Sequence, residues 1–352
     1  MSTTSLLNFF AEHKQHGDPL VLASVYETAG ATYSKTGACM LMTGDGIFQG
    51  MLSGGCLEGD LAERAKQVVA SGLPQQVTYD LSQDDEELWG LGVGCDGLMR
   101  IFLQPLIAAG NYEPFASIAD RLQGDRTEVV AIVIDSSSDL ASKGDALVSS
   151  AGQFTTFGLS SAVADIIEPA AEVVMANGRS STRREKLGDD EITVLYALIK
   201  PPSRVLVLGA GLDAEPVVNL CAELGWRVTV QDHRPAYVEK GDFSKAQQVI
   251  CSPAESLAEV LELKLFDAAI VMSHHLVTDR TYLELLAKTD ITYIGLLGPG
   301  NRRNRIVADL GTAASRLQDR LQGPAGLDIG GRGPASIALS IVAEMHTKLA
   351  ES

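Results

Sequence analysis

Two styles of hydrophobic patterning divide the chain. From Arg204 onward, short continuous apolar runs alternate with helix-length segments. The runs are Val205–Leu208, Val228–Val230, Gln248–Ile250, Ala268–Met272 and Tyr293–Leu297, with helical stretches such as Ala214–Leu224 and Asp279–Lys288 between them. A run without polar alternation suits a strand covered on both faces, and strand–helix alternation predicts a Rossmann-like, doubly wound parallel α/β sheet. The preceding stretch is dominated by strand-like runs: Leu20–Tyr26, Ala38–Met42, Ile47–Leu52, Val77–Leu81, Met99–Leu103 and Val129–Ile134. One helix is expected over Leu57–Ala70, and Thr43-Gly44-Asp45-Gly46 reads as a hairpin turn. This half is expected to be a mixed α+β domain. Lys200-Pro201-Pro202-Ser203 marks the boundary, because two prolines remove donors and favour extended backbone. The expected domains are therefore 1–200 and 201–352.

Composition narrows the function classes. The 352 residues include 45 acidic and 28 basic side chains, for a net charge of −17. Nucleic acids and anionic membrane surfaces both need basic patches, so neither is an expected partner. No apolar run approaches the ~18 residues of a membrane helix. The opening residues carry no export-signal pattern, so a cytoplasmic location is expected. The cysteines Cys39, Cys56, Cys95, Cys221 and Cys251 are widely spaced and odd in number, with no CxxC pair. That suits a reducing compartment and argues against a structural zinc site.

Candidate chemistry concentrates in glycine loops. Gly209-Ala210-Gly211-Leu212-Asp213-Ala214 follows the first C-terminal strand and opens a helix, matching G-x-G-x-x-G/A. Gly209 and Gly211 would let the backbone approach a pyrophosphate, and Asp232, at the end of the next strand, could bind a ribose hydroxyl. Asp213 and Glu215 would repel a phosphate there, and a glycine turn that only packs helix on strand is the alternative. A second loop, Gly295 to Arg305, places Arg302, Arg303 and Arg305 where a helix starts; it is an anion site or a solvated helix face. His274-His275 follows a strand at the carboxyl edge, and one of the two is expected to face the crevice. His13 and His16 read as a solvated helix face.

Two further loops end in thiols. In Ser53-Gly54-Gly55-Cys56-Leu57-Glu58 the glycines permit a nest of N–H groups, and Cys56 lies at a helix N-terminus. Glu58 and Asp60 oppose a thiolate there. Gly90 to Gly97 holds Gly94 and Cys95 in a similar setting. The two Gly–Cys loops form either a shared ligand cradle or independent tight turns. Cys39 and Cys221 are expected in the core.

These residues together resemble the XdhC/CoxI family, accessory factors that mature molybdenum hydroxylases such as xanthine dehydrogenase. The resemblance rests on Thr36–Leu41, Gly50–Glu58, Gly94–Gly97, Val207–Gly211, Val228–Arg234, Val271–His275, Tyr293–Gly298, Gly326–Gly330 and Ile337–Glu344. It implies a cytoplasmic chaperone that binds molybdenum cofactor, plain or nucleotide-extended, and protects it. Such a chaperone supports sulfuration with a cysteine desulfurase and delivers the cargo to an apo molybdenum hydroxylase. It also implies that Cys56, Glu58 and Cys95 lie at the cofactor's reactive end; whether Cys56 or Cys95 contacts molybdenum stays open, as does a homodimer. The family's proline-arginine is Tyr33-Ser34-Lys35 here, its histidine after G-A-G is Leu212, and its serine-arginine is Pro299-Gly300-Asn301-Arg302. An NAD(P)-dependent oxidoreductase using His274 or His275, or a nucleotide-sensing binding protein, are the alternatives. No catalytic pair at recognisable spacing supports the former.

Overall fold

Apolar runs in the first half form two antiparallel sheets rather than one. The computed structural model describes residues 3–80 and 97–351, and the chain divides into units Thr3–Pro201 and Pro202–Ser352. In the first unit α1 (Thr3–His16) precedes β1 (Leu20–Gly30), β2 (Cys39–Thr43) and β3 (Phe48–Gln49). Then come α2 (Glu58–Ser71), β4 (Gln75–Asp80) and β5 (Gly97–Leu106), which complete a sheet of order β3-β2-β1-β5-β4. After α3 (Phe115–Gln123), β6 (Glu128–Ser136), β7 (Ala146–Ser150) and β8 (Gln153–Phe157) lead through α4 (Ser161–Asn177) to β9 (Ser181–Leu187) and β10 (Asp190–Ile199). Their order is β8-β7-β6-β10-β9.

Leu22, Leu41 and Phe102 of the first sheet meet Val130, Ile132 and Leu195 of the second in one core. The outer face of the first sheet carries Leu61, Ala65 and Val68 of α2, and that of the second carries Val163, Ile167 and Val174 of α4. Both sheets are thus covered on both sides, which explains the unbroken apolar runs of β1 and β6. The 43–46 turn is a hairpin: Gly46 N–H donates to Thr43 O at 3.1 Å, and Leu41 and Met42 pair with Gln49 and Phe48. The strand expected over Ile47–Leu52 shrinks to Phe48–Gln49, because Gly50 takes φ 129° where a Cβ would stand 2.1 Å from Met40 Cβ.

The second unit runs β11 (Arg204–Leu208), α5 (Ala214–Glu223), β12 (Arg227–Asp232), α6 (Pro235–Lys240), β13 (Gln248–Cys251), α7 (Leu257–Val260) and β14 (Ala268–Val271). It continues with α8 (Leu276–Leu286), β15 (Tyr293–Leu296), α9 (Gly300–Asp309), α10 (Ala314–Leu317), β16 (Leu321–Gln322) and α11 (Pro334–Glu351). All six strands are parallel in the order β13-β12-β11-β14-β15-β16. This is the Rossmann order, reversing between β11 and β14, where such sheets open a crevice at the strands' carboxyl ends. Val205, Val207 and Val228 pack under α5 and α11 on one face; Leu206, Leu208 and Val271 pack under α8 and α9 on the other. Among the described residues no helix is long and apolar enough to cross a membrane.

Candidate functional site

The Ser53–Glu58 loop connects the first sheet to α2, and the chain itself supplies an anion to its amide nest. Glu58, 2% exposed, turns back and accepts hydrogen bonds from the amides of Leu52 and Ser53, both at 2.8 Å, and of Gly55 at 3.0 Å. Ser53 Oγ donates at 2.5 Å to Oε2, the oxygen that also takes the Gly55 amide, and itself accepts from Leu57 N–H at 2.7 Å. Burial opposes the charge on Glu58, yet these donors outweigh it and hold the carboxyl below its ordinary pKa. Gly54 and Gly55 sit at φ 79° and 109°, the left-handed region that glycine alone enters freely. The amides of Gly54 and Cys56 have no hydrogen-bond partner among the described residues. Cys56 is half-buried, just before the start of α2 at Glu58.

Neighbouring segments complete this end of the sheet. The exposed Tyr33 ring lies over Gly54, 3.3 Å from where a Cβ would stand. Ser34 Oγ donates to Met51 O at 3.4 Å. Gly97, at the start of β5, packs against Ala31 O and Thr32. Lys35 is exposed, its Nζ 3.4 Å from Thr32 Oγ1. Gly94 and Cys95 lie outside the described residues. Cys39 and Cys221 are held in apolar surroundings, which push their thiols up to about 11 and about 12; neither is poised as a thiolate.

In the second unit the loops again meet internal acids. Gly209, at φ 127°, has the backbone of Met272 and Ser273 so close that a Cβ would stand 2.5 Å from Met272 O. Asp232, fully buried, accepts from Ala210 N–H at 2.8 Å, from Arg234 N–H and Nε at 2.9 Å and from Arg234 Nη2 at 2.6 Å. Burial resists the charge, but these four donors prevail and lower its pKa. A carboxylate offers about four acceptor positions, so the acid expected to meet a ribose is already engaged within the protein. Asp213 Oδ1 would lie 2.6 Å from a Cβ on Gly211. Asp213 Oδ2 is 2.7 Å from Nε2 of His274, a residue held at φ 61°. This pair covers the second glycine of the loop. His275 instead caps α8, with Nδ1 2.8 Å from Thr278 Oγ1.

The arginine cluster separates into three environments. Arg302 Nη2 donates at 2.5 Å to Asp279, which is fully buried and also takes Ser273 Oγ at 2.5 Å. Arg303 is half-buried with its stem beside Gly323, and its Nε is buried without a hydrogen-bond partner. Arg305 is exposed. Asp279 and Arg234 are the residues that sequence reasoning did not bring into the site. An aspartate in a first helical turn signals only a helix dipole, and nothing local marks its pairing with an arginine on another helix. Among the described residues no three His, Cys, Asp or Glu side chains gather as a metal site.

Comparison with known proteins follows the same two-part layout. The family model described as the XdhC and CoxI family matches residues 13–80, and the XdhC Rossmann domain matches residues 205–345. A protein of Bacillus subtilis (strain 168) described as a probable subunit of xanthine dehydrogenase is 31% identical over 325 residues, 92% of either chain. The molybdenum cofactor insertion chaperone PaoD from Escherichia coli (strain K12) is 27% identical over 119 residues, 34% of this chain and 36% of PaoD. A crystal structure of a xanthine dehydrogenase from Bacillus halodurans superposes with a TM-score of 0.79 at 28% identity, covering 100% of this chain and 96% of that one.

Proposed function

Because this chain belongs to the XdhC and CoxI family, we propose that it is a molybdenum-cofactor chaperone for the maturation of a xanthine dehydrogenase-like enzyme. The observation that carries this reading is the presence of both family regions, in order, on one chain that aligns over 92% of its length with a curated relative. The partial likeness to a molybdenum cofactor insertion chaperone supports the cargo.

In this reading the 53–56 loop receives the cargo's reactive end. The Gly54 and Cys56 amides are the donors left over once Glu58 has taken its three. Cys56 supplies a soft sulfur ligand beside them, of the kind that suits a thiolate-bound metal centre. Glu58 and Ser53 position the loop and touch no cargo. Lys35 and Tyr33 border the loop and offer a charge and a ring face to a pterin phosphate and its ring system. In the second unit Arg303, half-buried and without a carboxylate partner among the described residues, is the side chain best suited to a phosphate. Gly209 and Gly211, both buried, shape the loop beside the crevice, His274 lies exposed at its edge, and the crevice would take the nucleotide of an extended cofactor; Asp232 and Arg302 hold its walls. Sulfuration of the bound cargo with a cysteine desulfurase, Cys95 as a second thiol, and a homodimeric carrier belong to the same proposal.

The test is anaerobic purification from a host that makes molybdenum cofactor, followed by metal analysis and pterin fluorescence after oxidation. Near-stoichiometric molybdenum and pterin are expected for wild type, with retention lost in Cys56→Ala while its circular dichroism is unchanged. Wild-type protein that carries NAD(H) and no pterin would overturn the reading.

A further inference from the structure

The first sheet ends in two unlike edges. On the edge strand β4 the exposed side chains are Gln76, Thr78 and Asp80, all polar. In the second sheet the edge strand β9 likewise exposes Arg184 and Lys186. Polar and charged side chains of this kind keep an open edge from pairing with other chains. The other edge of the first sheet, β3, has no such guard. The stretch 46–52 contains no charged residue, and Ile47, Phe48 and Met51 are 55%, 41% and 39% exposed. Its backbone is open as well. Thr43 N–H donates to Ile47 O at 2.8 Å, and hydrogen-bonded and non-hydrogen-bonded pairs alternate along an antiparallel ladder. Met42 and Phe48 form the next pair, so the N–H and C=O of Phe48 point away from β2. Among the described residues neither group meets a hydrogen-bond partner outside the ladder.

We propose that this edge is the docking site of the apo-enzyme that receives the cargo, an extended, uncharged, apolar segment of that enzyme adding to β3 as a sixth strand. The proposal rests on the chaperone reading above. The outward N–H and C=O of Phe48 define the occupant as extended backbone, a mode in which main-chain hydrogen bonds give affinity and alternate side chains give specificity. Ile47 and Phe48 project to opposite faces of the sheet by the period of two, so an added strand meets an apolar side chain on either face. The edge has no charge to pair, and it fits a segment that brings none. Continuity with the cargo loop selects the enzyme as the partner. Met51 stands two residues beyond β3, and its carbonyl takes Ser34 Oγ at 3.4 Å, next to Tyr33. The two amides that follow, of Leu52 and Ser53, bind Glu58 and open the 53–56 loop. A cargo shielded from water passes between two proteins only where the acceptor reaches the rim of the seat, and β3 is the strand that runs into that rim.

The test uses the full chain and xanthine dehydrogenase of the same organism, produced as apo-enzyme in a host without molybdenum cofactor. Light scattering gives the mass of the chain alone, biolayer interferometry its affinity for the apo-enzyme, and metal analysis with pterin fluorescence its cargo. Ile47→Lys places a charge on the edge, and Phe48→Pro removes the outward N–H without taking a ladder bond. Both variants should keep wild-type circular dichroism and cargo and bind the apo-enzyme at least tenfold more weakly. Leu73→Lys, at a 67% exposed apolar position before the opposite edge strand β4, should bind as wild type does. Wild-type affinity in both edge variants, equal weakening in Leu73→Lys, or a wild-type chain that does not bind the apo-enzyme would overturn the proposal. So would a wild-type dimer that the edge variants split into monomers, which would make a second copy of the chain the occupant. A wild-type chain that binds the apo-enzyme through this edge and carries no cargo would instead sink the chaperone reading alone.

Discussion

Glu58 is the residue on which the thiol loop depends most directly. Glu58→Gln replaces one acceptor oxygen with an amide that opposes the N–H groups it faces, at a cost of about 2 kcal/mol. Its folded pKa lies below the unfolded value, so its stabilisation is complete above about pH 4.3 and is lost as pH falls through the folded value. Urea midpoints should therefore drop more steeply between pH 5 and pH 3 in wild type than in Glu58→Gln. The arginines give a second residue-scale test. Arg302→Ala leaves the fully buried Asp279 without its cationic partner and should cost about 3 kcal/mol. Arg305→Ala, at an exposed position, should stay within about 0.5 kcal/mol. Parallel denaturant melts of the two variants distinguish these outcomes.

At the scale of elements, the parallel sheet was readable because each buried strand is short, apolar and followed at once by its crossover. The first unit was readable in its strands and not in their partnership. β1 and β6 show the unbroken apolar runs of doubly covered strands, but the cover is a second antiparallel sheet and a helix, which no local pattern reveals. Strands β7 to β10 and helix α4 follow the last expected strand. The strand β8 is largely exposed, and α4 contains Pro169, which breaks the helical signal. In the candidate site the glycine turns and the acids Glu58, Asp213 and Asp232 were legible, whereas the internal donors those acids engage were not. Asp232 reaches an amide 22 residues away, besides Arg234 two residues on, and Asp279 an arginine 23 residues away; the partners of Glu58 are all local. The two glycine loops also differ in what they tolerate. Gly209→Ala would drive a Cβ into backbone and should cost more than about 3 kcal/mol. Gly55→Ala meets open space and only a positive φ, for about 1–2 kcal/mol. Thermal melts should rank the two variants in that order.

At the scale of the whole molecule, the hydrophobic clusters lie entirely within one unit or the other: three before residue 202 and two after it. Each unit thus owns its core. The fragment 202–352 should fold alone, with α/β circular dichroism and a cooperative melt; a fragment without a cooperative transition would show that the proposed boundary is misplaced. Much of the chain's acidic excess is solvated, but Glu58, Asp232 and Asp279 are spent inside, each on a loop or helix start that a ligand would otherwise have to organise. A carrier has to let go of what it holds. A loop whose shape depends on its cargo collapses on release and must be rebuilt at each loading. The Ser53–Gly55 turn is kept in shape by a carboxylate of the same chain, so handing over a cargo there would cost only the contacts broken and leave the empty seat ready for the next.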